Sequence, residues 1–246
     1  MSGKLAVYFT FPYPDSKVIG SFLDSMGSES VDYVELGIPV MHPYYDGPKI
    51  KMTHESASKS FNPDELRTAV KNINDRGMET YALTYMNSFE NDVEGGIEKI
   101  KEYGFKGVIL PDLLIDYFDE SNSTVDAVRK AGLHLIPFFT SSTPDSVVRK
   151  ILKKTDSWIY HGIQPSTGIT VPVDISRTGA RIREFSGRRE VIFGFGISNP
   201  GDIRKVMESG ADGVAIGSMF IDYLKKGDLE GFKNMVTEIR GVLDEY

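Results

Sequence analysis

One unit recurs along this chain: an amphipathic helix ends at a glycine, and an apolar strand begins within a few residues of it. Gly77, Gly104, Gly132 and Gly210 occupy such helix ends, where a residue that tolerates a positive φ is favoured. The apolar runs that follow these glycines suit strands buried on both faces of a parallel sheet. Helices that alternate with such strands predict an α/β fold.

Eight segments of the sequence are suited to buried strands. They are residues 5–11, 33–36, 80–85, 108–110, 133–139, 157–160, 191–193 and 214–216. Eight strands with intervening helices in 246 residues predict a (β/α)8 barrel. The competing doubly wound sheet usually has fewer strands and a glycine-rich turn after its first strand, which is absent from this sequence. No linker or low-complexity segment divides the chain, so we expect one domain over residues 1–246.

Several helices begin at a recognisable capping residue. Asp15 precedes an amphipathic segment, and Asn62, Thr143 and Asn199 are each followed by a proline and an acidic residue. Side-chain oxygens at these positions can accept hydrogen bonds from the free N–H groups of the first turn, and proline is favoured at the first helical position. The sequence therefore predicts a helix start at each of these four residues.

Composition excludes several classes of function. The formal net charge of -7 and the pI near 5.2 argue against a nucleic-acid or membrane-surface partner, because both require clustered positive charge. Without cysteine the chain has no disulfide, no catalytic thiol and no cysteine-ligated metal. Neither a signal peptide nor a membrane span is visible, and we expect a cytoplasmic protein.

Two carboxylates stand where a barrel enzyme would use them. The active site of a (β/α)8 barrel lies at the C-terminal ends of its strands; Glu35 is near the end of the second predicted strand, and Asp46 is in the loop beyond it. Carboxylates in unlike surroundings can supply an acid and a base, and burial would make Glu35 a general acid. The alternatives are a structural ion pair for Glu35 and a simple turn residue for Asp46.

Glycine-rich sequences follow the last two predicted strands: GFGIS at 194–198 and IGS at 216–218. These are the positions at which (β/α)8 barrels often bind phosphate, because backbone amides can donate to an anion without help from lysine. The alternative is that the glycines serve tight turns. The polar segment 161–170 is interpreted either as a lid over substrate or as an ordinary mobile surface loop, and Tyr160 either as a pocket residue or as packing.

The positions of the lysines and histidines narrow the chemistry further. No lysine lies within a predicted strand, and Lys4 and Lys106 precede strands, at the end away from an active site, which speaks against a Schiff-base aldolase. The histidines lack the paired spacing of a metal site, and surface or packing roles are expected for His42, His54, His134 and His161. Carbon–carbon cleavage or isomerisation of a phosphorylated substrate by acid–base catalysis remains.

Together these motifs resemble the tryptophan synthase α subunit family, in the form found in some archaea. The matching segments are ELGIP at 35–39, DGP at 46–48, STG at 166–168, GFGIS at 194–198 and residues 213–218. They occur in the family's order and spacing and cover nearly the whole chain. The resemblance implies retro-aldol cleavage of indole-3-glycerol phosphate to indole and glyceraldehyde 3-phosphate.

The resemblance also implies roles for individual residues. Glu35 would protonate the indole carbon that carries the glycerol chain and help to remove the side-chain hydroxyl proton. Asp46 would accept the indole N–H and stabilise the positive charge on the ring, and Thr167 would order the closing loop against Asp46. The pocket walls would include Tyr8, Leu83, Tyr85 and Tyr160. The phosphate would be held through the backbone of Gly168, Gly196, Gly217 and Ser218.

The family's partner is a β subunit that carries pyridoxal phosphate and receives indole through a tunnel, so the resemblance implies an α2β2 heterotetramer in which the α chain has no cofactor or metal. Three departures stand out: the first strand lacks a preceding helix, residues 41–45 replace a loop with an acidic partner contact, and residues 11–14 are unusual. The alternatives are a phosphosugar isomerase or epimerase, and a barrel that mainly activates a β subunit.

Overall fold

The parallel sheet of this protein is seen in a computed structural model, which describes residues 2–90, 92–164, 173–197 and 199–246. Within these residues nine parallel strands are found. They are β1 (Lys4–Thr10), β2 (Tyr33–Gly37), β3 (Glu79–Leu83), β4 (Gly107–Ile109), β5 (His134–Ile136), β6 (Phe138–Thr140), β7 (Ile159–Gly162), β8 (Val191–Gly194) and β9 (Gly213–Ile216). Each predicted strand segment overlaps at least one of them.

The sheet closes on itself. Its strand order is β5-β4-β3-β2-β1-β9-β8-β7-β6, and the two edge strands, β5 and β6, are separated along the chain by Pro137 alone. The edges must therefore meet, which confirms the predicted barrel. The single strand expected at 133–139 is two short strands, because proline has no N–H to donate to a ladder; the Pro137 carbonyl accepts from the Tyr160 N–H at 3.1 Å.

Helices surround the barrel. They are α1 (Ser16–Asp24), α2 (Pro48–Ala57), α3 (Pro63–Asp75), α4 (Val93–Glu102), α5 (Ser121–Lys130), α6 (Asp145–Leu152), α7 (Ile175–Ser186), α8 (Pro200–Glu208), α9 (Ile221–Lys226) and α10 (Leu229–Leu243), with a 3-10 helix at Met86–Phe89. In the part of the chain that the structure covers, none of the helices has the length and apolar character needed to cross a membrane.

Three of the four predicted helix caps are confirmed. Asp15 accepts from the N–H groups of the first turn of α1, and the side chains of Asn62 and Asn199 do the same for α3 and α8. The cap predicted at Thr143 is wrong. Pro144 occupies the capping position of α6, while the Thr143 hydroxyl accepts from the Thr140 N–H at 3.0 Å and so closes the end of β6 instead.

The glycines predicted at helix ends all adopt the backbone conformation that favours glycine. Gly77, Gly104, Gly132 and Gly210 have φ values of 81°, 91°, 78° and 91°, a region that residues with a β-carbon rarely adopt. Each chain segment therefore reverses at its glycine and enters the next strand within a few residues.

Two strand boundaries differ from prediction. β7 extends through His161 and Gly162, which the sequence interpretation placed in the following loop. Lys4 is the first residue of β1 rather than a residue before it, and its ammonium group lies 2.8 Å from a carboxylate oxygen of Asp32. Lys4 remains at the N-terminal end of its strand, so the argument against a catalytic lysine at this position is unchanged.

Aromatic side chains fill part of the barrel interior. The Trp158 ring stacks on Tyr33, with centroids 5.3 Å apart, and meets the edge of Tyr81 at 5.4 Å. The two tyrosine hydroxyls donate to Glu190 and Glu79, each at 2.6 Å. Trp158 also lies 6.0 Å from the ring of Tyr160. Close-packed rings of this kind hold neighbouring side chains in fixed positions, and Tyr160 is one that lines the cavity described next.

Candidate active site

One cavity lies where several strands end. It is lined by Tyr8, Glu35, Asp46, Ile50, Leu83, Tyr160, Phe195, Gly196, Ile197, Ala215, Gly217 and Ser218. These residues come from β1, β2, β3, β7 and β9, from α2 and the loop before it, and from the segments just after β8 and β9. The C-terminal ends of the strands are where (β/α)8 barrels carry out chemistry, and sequence-predicted site residues from separate parts of the chain meet there.

Glu35 is fully buried in this cavity. It is the third residue of β2, paired in register with Tyr8 on β1 and Tyr81 on β3. Neither of its carboxylate oxygens has a hydrogen-bond partner in the described part of the chain, so the alternative of a structural ion pair is wrong. Burial raises the pKa of Glu35 to about 8, because an unpaired charge is poorly solvated away from water. Glu35 is therefore largely protonated at neutral pH.

Asp46 is also buried, but its surroundings are polar. The Tyr85 hydroxyl donates to Asp46 Oδ2 at 2.9 Å. Burial raises the pKa of Asp46 to about 7, while the Tyr85 hydrogen bond and the positive charge of Lys51 act in the opposite direction. Asp46 also forms a turn, since its N–H donates to the Pro43 carbonyl at 3.1 Å. It is thus a turn residue whose carboxylate reaches the cavity and ionises more readily than Glu35.

Tyr85 and Leu83 reach the site in different ways. Leu83 ends β3 and lines the cavity directly. Tyr85 is fully buried and acts on the site through the bond that its hydroxyl makes to Asp46. This contact joins the segment after β3 to the loop before α2, so the position of the Asp46 carboxylate depends on both.

Glycines at strand ends make room for the tyrosines of the site. A β-carbon at Gly37 would collide with the hydroxyl of Tyr8, and one at Gly194 with the hydroxyl of Tyr160. A β-carbon at Gly217 would meet the ring of Tyr8. This third role was not predicted from the sequence, in which the glycines after the last two strands indicate only phosphate binding or turns, because it depends on contacts between strands.

The segment after β8 has an unusual backbone. Phe195 has a φ of 61° and Gly196 a φ of 107°, and a positive φ in a bulky residue such as Phe is strained and common at functional sites. The Phe195 ring packs against Phe138 and Tyr160, with centroids 5.2 Å and 5.9 Å away. Packing against these two rings therefore holds Phe195 in this conformation beside the cavity.

Three of the four predicted phosphate-binding residues line the cavity: Gly196, Gly217 and Ser218. Gly217 and Ser218 directly follow β9 and precede α9. The fourth, Gly168, lies outside the described residues, as does Thr167, the predicted loop-ordering residue. No lysine or arginine is among the described lining residues, so an anion there would be bound by neutral donors such as backbone amides and the Ser218 hydroxyl.

His54 is a site residue that the sequence analysis missed. It lies on the buried face of α2, and its Nδ1 accepts from the Val40 N–H at 3.1 Å. Its Nε2 is 3.1 Å from the Tyr8 hydroxyl and 3.6 Å from Asp46 Oδ2. Burial lowers the pKa of His54 to about 4. Helical spacing from Ile50, four residues earlier, was the available signal, because residues i and i+4 share one helix face.

The other histidines lie away from this cavity. His42 and His134 are exposed, and His161 is buried in β7 with its ring stacked 4.9 Å from Phe193. Among the residues that the structure describes, no group of three or more histidine or acidic side chains is placed to hold a metal ion.

The sequence of this chain is similar to that of known proteins over almost its whole length. A family model described as tryptophan synthase alpha chain matches residues 2–244. The tryptophan synthase alpha chain of Saccharolobus solfataricus is 32% identical over 100% of this chain and 99% of its own length. That of Sulfurisphaera tokodaii is also 32% identical, over the whole of both chains.

Solved structures show the same architecture. A chain of the tryptophan synthase α2β2 complex from Pyrococcus furiosus superposes with a TM-score of 0.82 at 25% identity, covering 98% of each chain. A mutant α subunit from the same organism superposes with a TM-score of 0.84 at 25% identity and the same coverage.

Proposed function

Because this chain belongs to the tryptophan synthase alpha chain family, we propose that its cavity cleaves indole-3-glycerol phosphate to indole and glyceraldehyde 3-phosphate. One observation carries the proposal: Glu35, buried with no hydrogen-bond partner among the described residues, lines the same cavity as Asp46, which has a donor of its own. Carboxyl groups whose surroundings push their pKa values apart divide the work of acid and base.

Glu35 is the proton donor. Its protonated carboxyl transfers a proton to the indole ring carbon that carries the glycerol chain, which places a positive charge on the ring. The bond between this carbon and the side chain then breaks, and its electrons return to the ring as the side-chain hydroxyl becomes an aldehyde. The hydroxyl proton passes to the Glu35 carboxylate, so the acid is regenerated and the reaction consumes no cofactor.

Asp46 stabilises the charged ring. Its carboxylate accepts a hydrogen bond from the indole N–H, and this interaction strengthens as positive charge develops on the nitrogen. The bond from Tyr85 favours the ionised form of Asp46, as does the charge of Lys51. Asp46 thus acts as an anion while Glu35 acts as an acid, although both groups are buried.

The cavity walls suit a flat aromatic substrate. Tyr8, Leu83, Tyr160 and Phe195 supply apolar surface around the two carboxyl groups, and aromatic rings pack well against an indole. A phosphosugar isomerase would need polar groups along the sugar chain instead. The walls therefore favour the lyase over the isomerase or epimerase.

Backbone donors bind the phosphate in this proposal. Gly196, Gly217 and Ser218 line the cavity, and oriented backbone amides bind anions without a basic side chain. By resemblance Gly168 would add a further amide, and Thr167 would order its loop against Asp46. The substrate is then held at its phosphate while the indole lies between the two carboxyl groups.

The partner in this proposal is a β subunit that carries pyridoxal phosphate and takes up the indole, as in the α2β2 assembly of the family. Met41 and Tyr44 are 87% and 60% exposed, and these apolar side chains beside α2 support a protein contact. This chain itself would use no cofactor. The family's biosynthetic role supports a cytoplasmic location, and the one sheet that runs from β1 to β9 supports a single domain over residues 1–246.

Indole release from indole-3-glycerol phosphate by the purified protein tests the function. Glu35→Gln should lower the rate of indole release by about a hundredfold or more, since general acid catalysis contributes on that order. Glu98→Gln, on the surface, should leave the rate unchanged. An isomerase would convert a phosphosugar and release no indole. If the protein only activates a β subunit, wild type and Glu35→Gln should raise the β-subunit activity equally, and neither of them should release indole.

A further inference from the structure

A chain of buried hydrogen bonds links the cavity to α2. The Tyr8 hydroxyl is 3.1 Å from His54 Nε2 and 2.9 Å from Thr10 Oγ1. Thr10 Oγ1 is 2.6 Å from Thr53 Oγ1, which donates to the Ile50 carbonyl at 2.7 Å. All the side chains in this chain are buried.

The direction of every bond in this network is determined by its two ends. Thr53 gives its hydroxyl proton to a carbonyl, so it can only accept from Thr10, which in turn must accept from Tyr8. At the other end, the Val40 N–H donates to His54 Nδ1 at 3.1 Å. Nδ1 is therefore an acceptor, the neutral ring carries its proton on Nε2, and that N–H points to Tyr8.

The same Nε2–H lies between two acceptors. The Tyr8 oxygen is 3.1 Å away and Asp46 Oδ2 is 3.6 Å away, so the Tyr8 bond is formed and the Asp46 contact is long. Any small movement of the carboxylate toward α2 would shorten the second contact. A neutral imidazole can donate a hydrogen bond to Asp46 without adding a positive charge. A charged imidazole would compete with the substrate ring for the Asp46 carboxylate.

We propose that His54 is a positioning residue for Asp46: its Nε2–H favours the ionised carboxylate across the 3.6 Å contact, and the Tyr8 hydroxyl, which accepts this proton in the structure, competes with the carboxylate for it. The proposal rests on the proposed function of the cavity and extends it to a residue on α2. Burial supports the neutral state of the imidazole, since the pKa of His54 is lowered to about 4.

Other charged or titratable groups also face Asp46, and each contributes either a charge or a neutral side chain. Lys51 on α2 supplies positive charge, and Tyr85 donates its hydrogen bond. Tyr8 on β1 and Tyr160 on β7 are buried tyrosines whose pKa values burial raises, so both are neutral. Glu35 on β2 lines the same cavity and is protonated below about pH 8. Burial, the charge of Asp46 and, to a smaller extent, the charge of Asp112 raise the pKa of the Tyr85 hydroxyl, which is therefore neutral.

Competition between two acceptors predicts shifts of opposite sign. His54→Leu removes the donor, so the pKa of Asp46 should rise and the acid limb of the pH profile of kcat/KM should move up by about one pH unit. Tyr8→Phe removes the competing oxygen and leaves the Nε2–H to Asp46 alone, so the same limb should move down. His54→Gln, whose amide can place an N–H near the position of Nε2, should restore the limb to within a few tenths of a unit.

The profiles of wild type, His54→Leu, His54→Gln and Tyr8→Phe are measured by indole release from indole-3-glycerol phosphate. Opposite shifts in His54→Leu and Tyr8→Phe, with rescue by His54→Gln, support the proposal. An unchanged limb in His54→Leu, or a shift of the same sign in both variants, overturns it, because a purely structural role would lower the rate without moving the limb in two directions.

A second measurement does not depend on activity. Nitrogen-15 NMR of the wild type at pH 7 should show, among four histidines, two rings that resist protonation, because burial lowers the pKa of both His54 and His161 to about 4. The ring whose signals are lost in His54→Leu should be neutral with its proton on Nε2; an Nδ1–H tautomer or a charged ring at this site overturns the proposal. The Asp46 carboxyl signal, identified by its loss in Asp46→Asn, should titrate lower in Tyr8→Phe. If the wild type releases no indole, the proposed function fails while these spectra still test His54.

Discussion

Asp46 receives a hydrogen bond of 2.9 Å from the hydroxyl of Tyr85, while Glu35, in the same cavity, has no hydrogen-bond partner among the described residues. This difference in hydrogen bonding separates the pKa values of the two carboxyl groups. Burial raises the pKa of both, to about 7 for Asp46 and about 8 for Glu35. Near neutral pH the pair can therefore exist as one anion and one acid, the state that the proposed reaction needs.

The pH profile of kcat/KM should be a narrow bell. Below about pH 7 Asp46 gains a proton and cannot stabilise the ring cation, and above about pH 8 Glu35 loses the proton that it must deliver. The rate should fall tenfold per pH unit on each side. Steady-state rates of indole release between pH 5 and 10 measure this. A profile that stays flat from pH 5.5 to 9.5 would contradict the assigned roles.

The free energy of unfolding should depend on pH through Glu35, and it should fall with rising pH, as the Glu35-dependent activity does. Its folded-state pKa of about 8 exceeds the ordinary value of 4.5, so below pH 4.5 the group is neutral in both states and burial carries no ionisation penalty. Between these values the unfolded state loses the proton and the folded state keeps it, so the free energy of unfolding falls as pH rises.

Glu35→Gln removes this dependence. At pH 7 the variant should be more stable than wild type by about 3 kcal/mol, the difference expected from the two pKa values, and the gap should close below pH 4.5. Urea unfolding at several pH values measures it. Glu98→Gln, on the surface, serves as the control and should change stability little at any pH. A gap that does not depend on pH would show that Glu35 is not buried as a neutral acid.

Tyr85→Phe should move the acid limb of the pH profile upward. Without the hydroxyl, Asp46 loses a hydrogen bond to its charged form, so its pKa should rise by about one unit. Tyr81→Phe is the matched control, because the Tyr81 hydroxyl donates to Glu79 and not to the cavity. If the acid limb lies at the same pH in Tyr85→Phe and Tyr81→Phe, Tyr85 only packs behind the site.

Gly194→Ala should damage the site although glycine takes no part in the chemistry. The added methyl group would collide with the Tyr160 hydroxyl, so Tyr160 must shift or the strand must move, at about 1–3 kcal/mol of stability and with a lower kcat/KM. Gly20→Ala in α1, where nothing beyond the neighbouring residues and backbone of the helix lies within 4 Å of the new group, should instead stabilise by up to about 1 kcal/mol. Thermal unfolding and turnover of both variants give the comparison, and wild-type kinetics in Gly194→Ala would refute it.

Much of the fold followed from local rules. The glycines at helix ends adopt positive φ as predicted, because C-terminal capping is decided within a few residues. The split of the strand at Pro137 was foreseeable from the missing N–H of proline, but the length of the apolar run concealed it. The cap at Thr143 failed because its hydroxyl found an N–H at the end of β6, a partner that sequence spacing does not reveal.

The sequence by itself determined that strands and helices alternate and that Glu35, Gly196 and Gly217 end up at one edge, since parallel strands carry their C-terminal ends to the same side. Only the tertiary structure decided that Asp46, and not Glu35, receives a hydrogen bond in the cavity from the residues that the structure describes. Tyr85 and Asp46 are 39 positions apart in the chain, and His54 joins Tyr8 across 46. The pKa of a buried group depends on burial and on such distant partners, and neither quantity exists until the chain has folded.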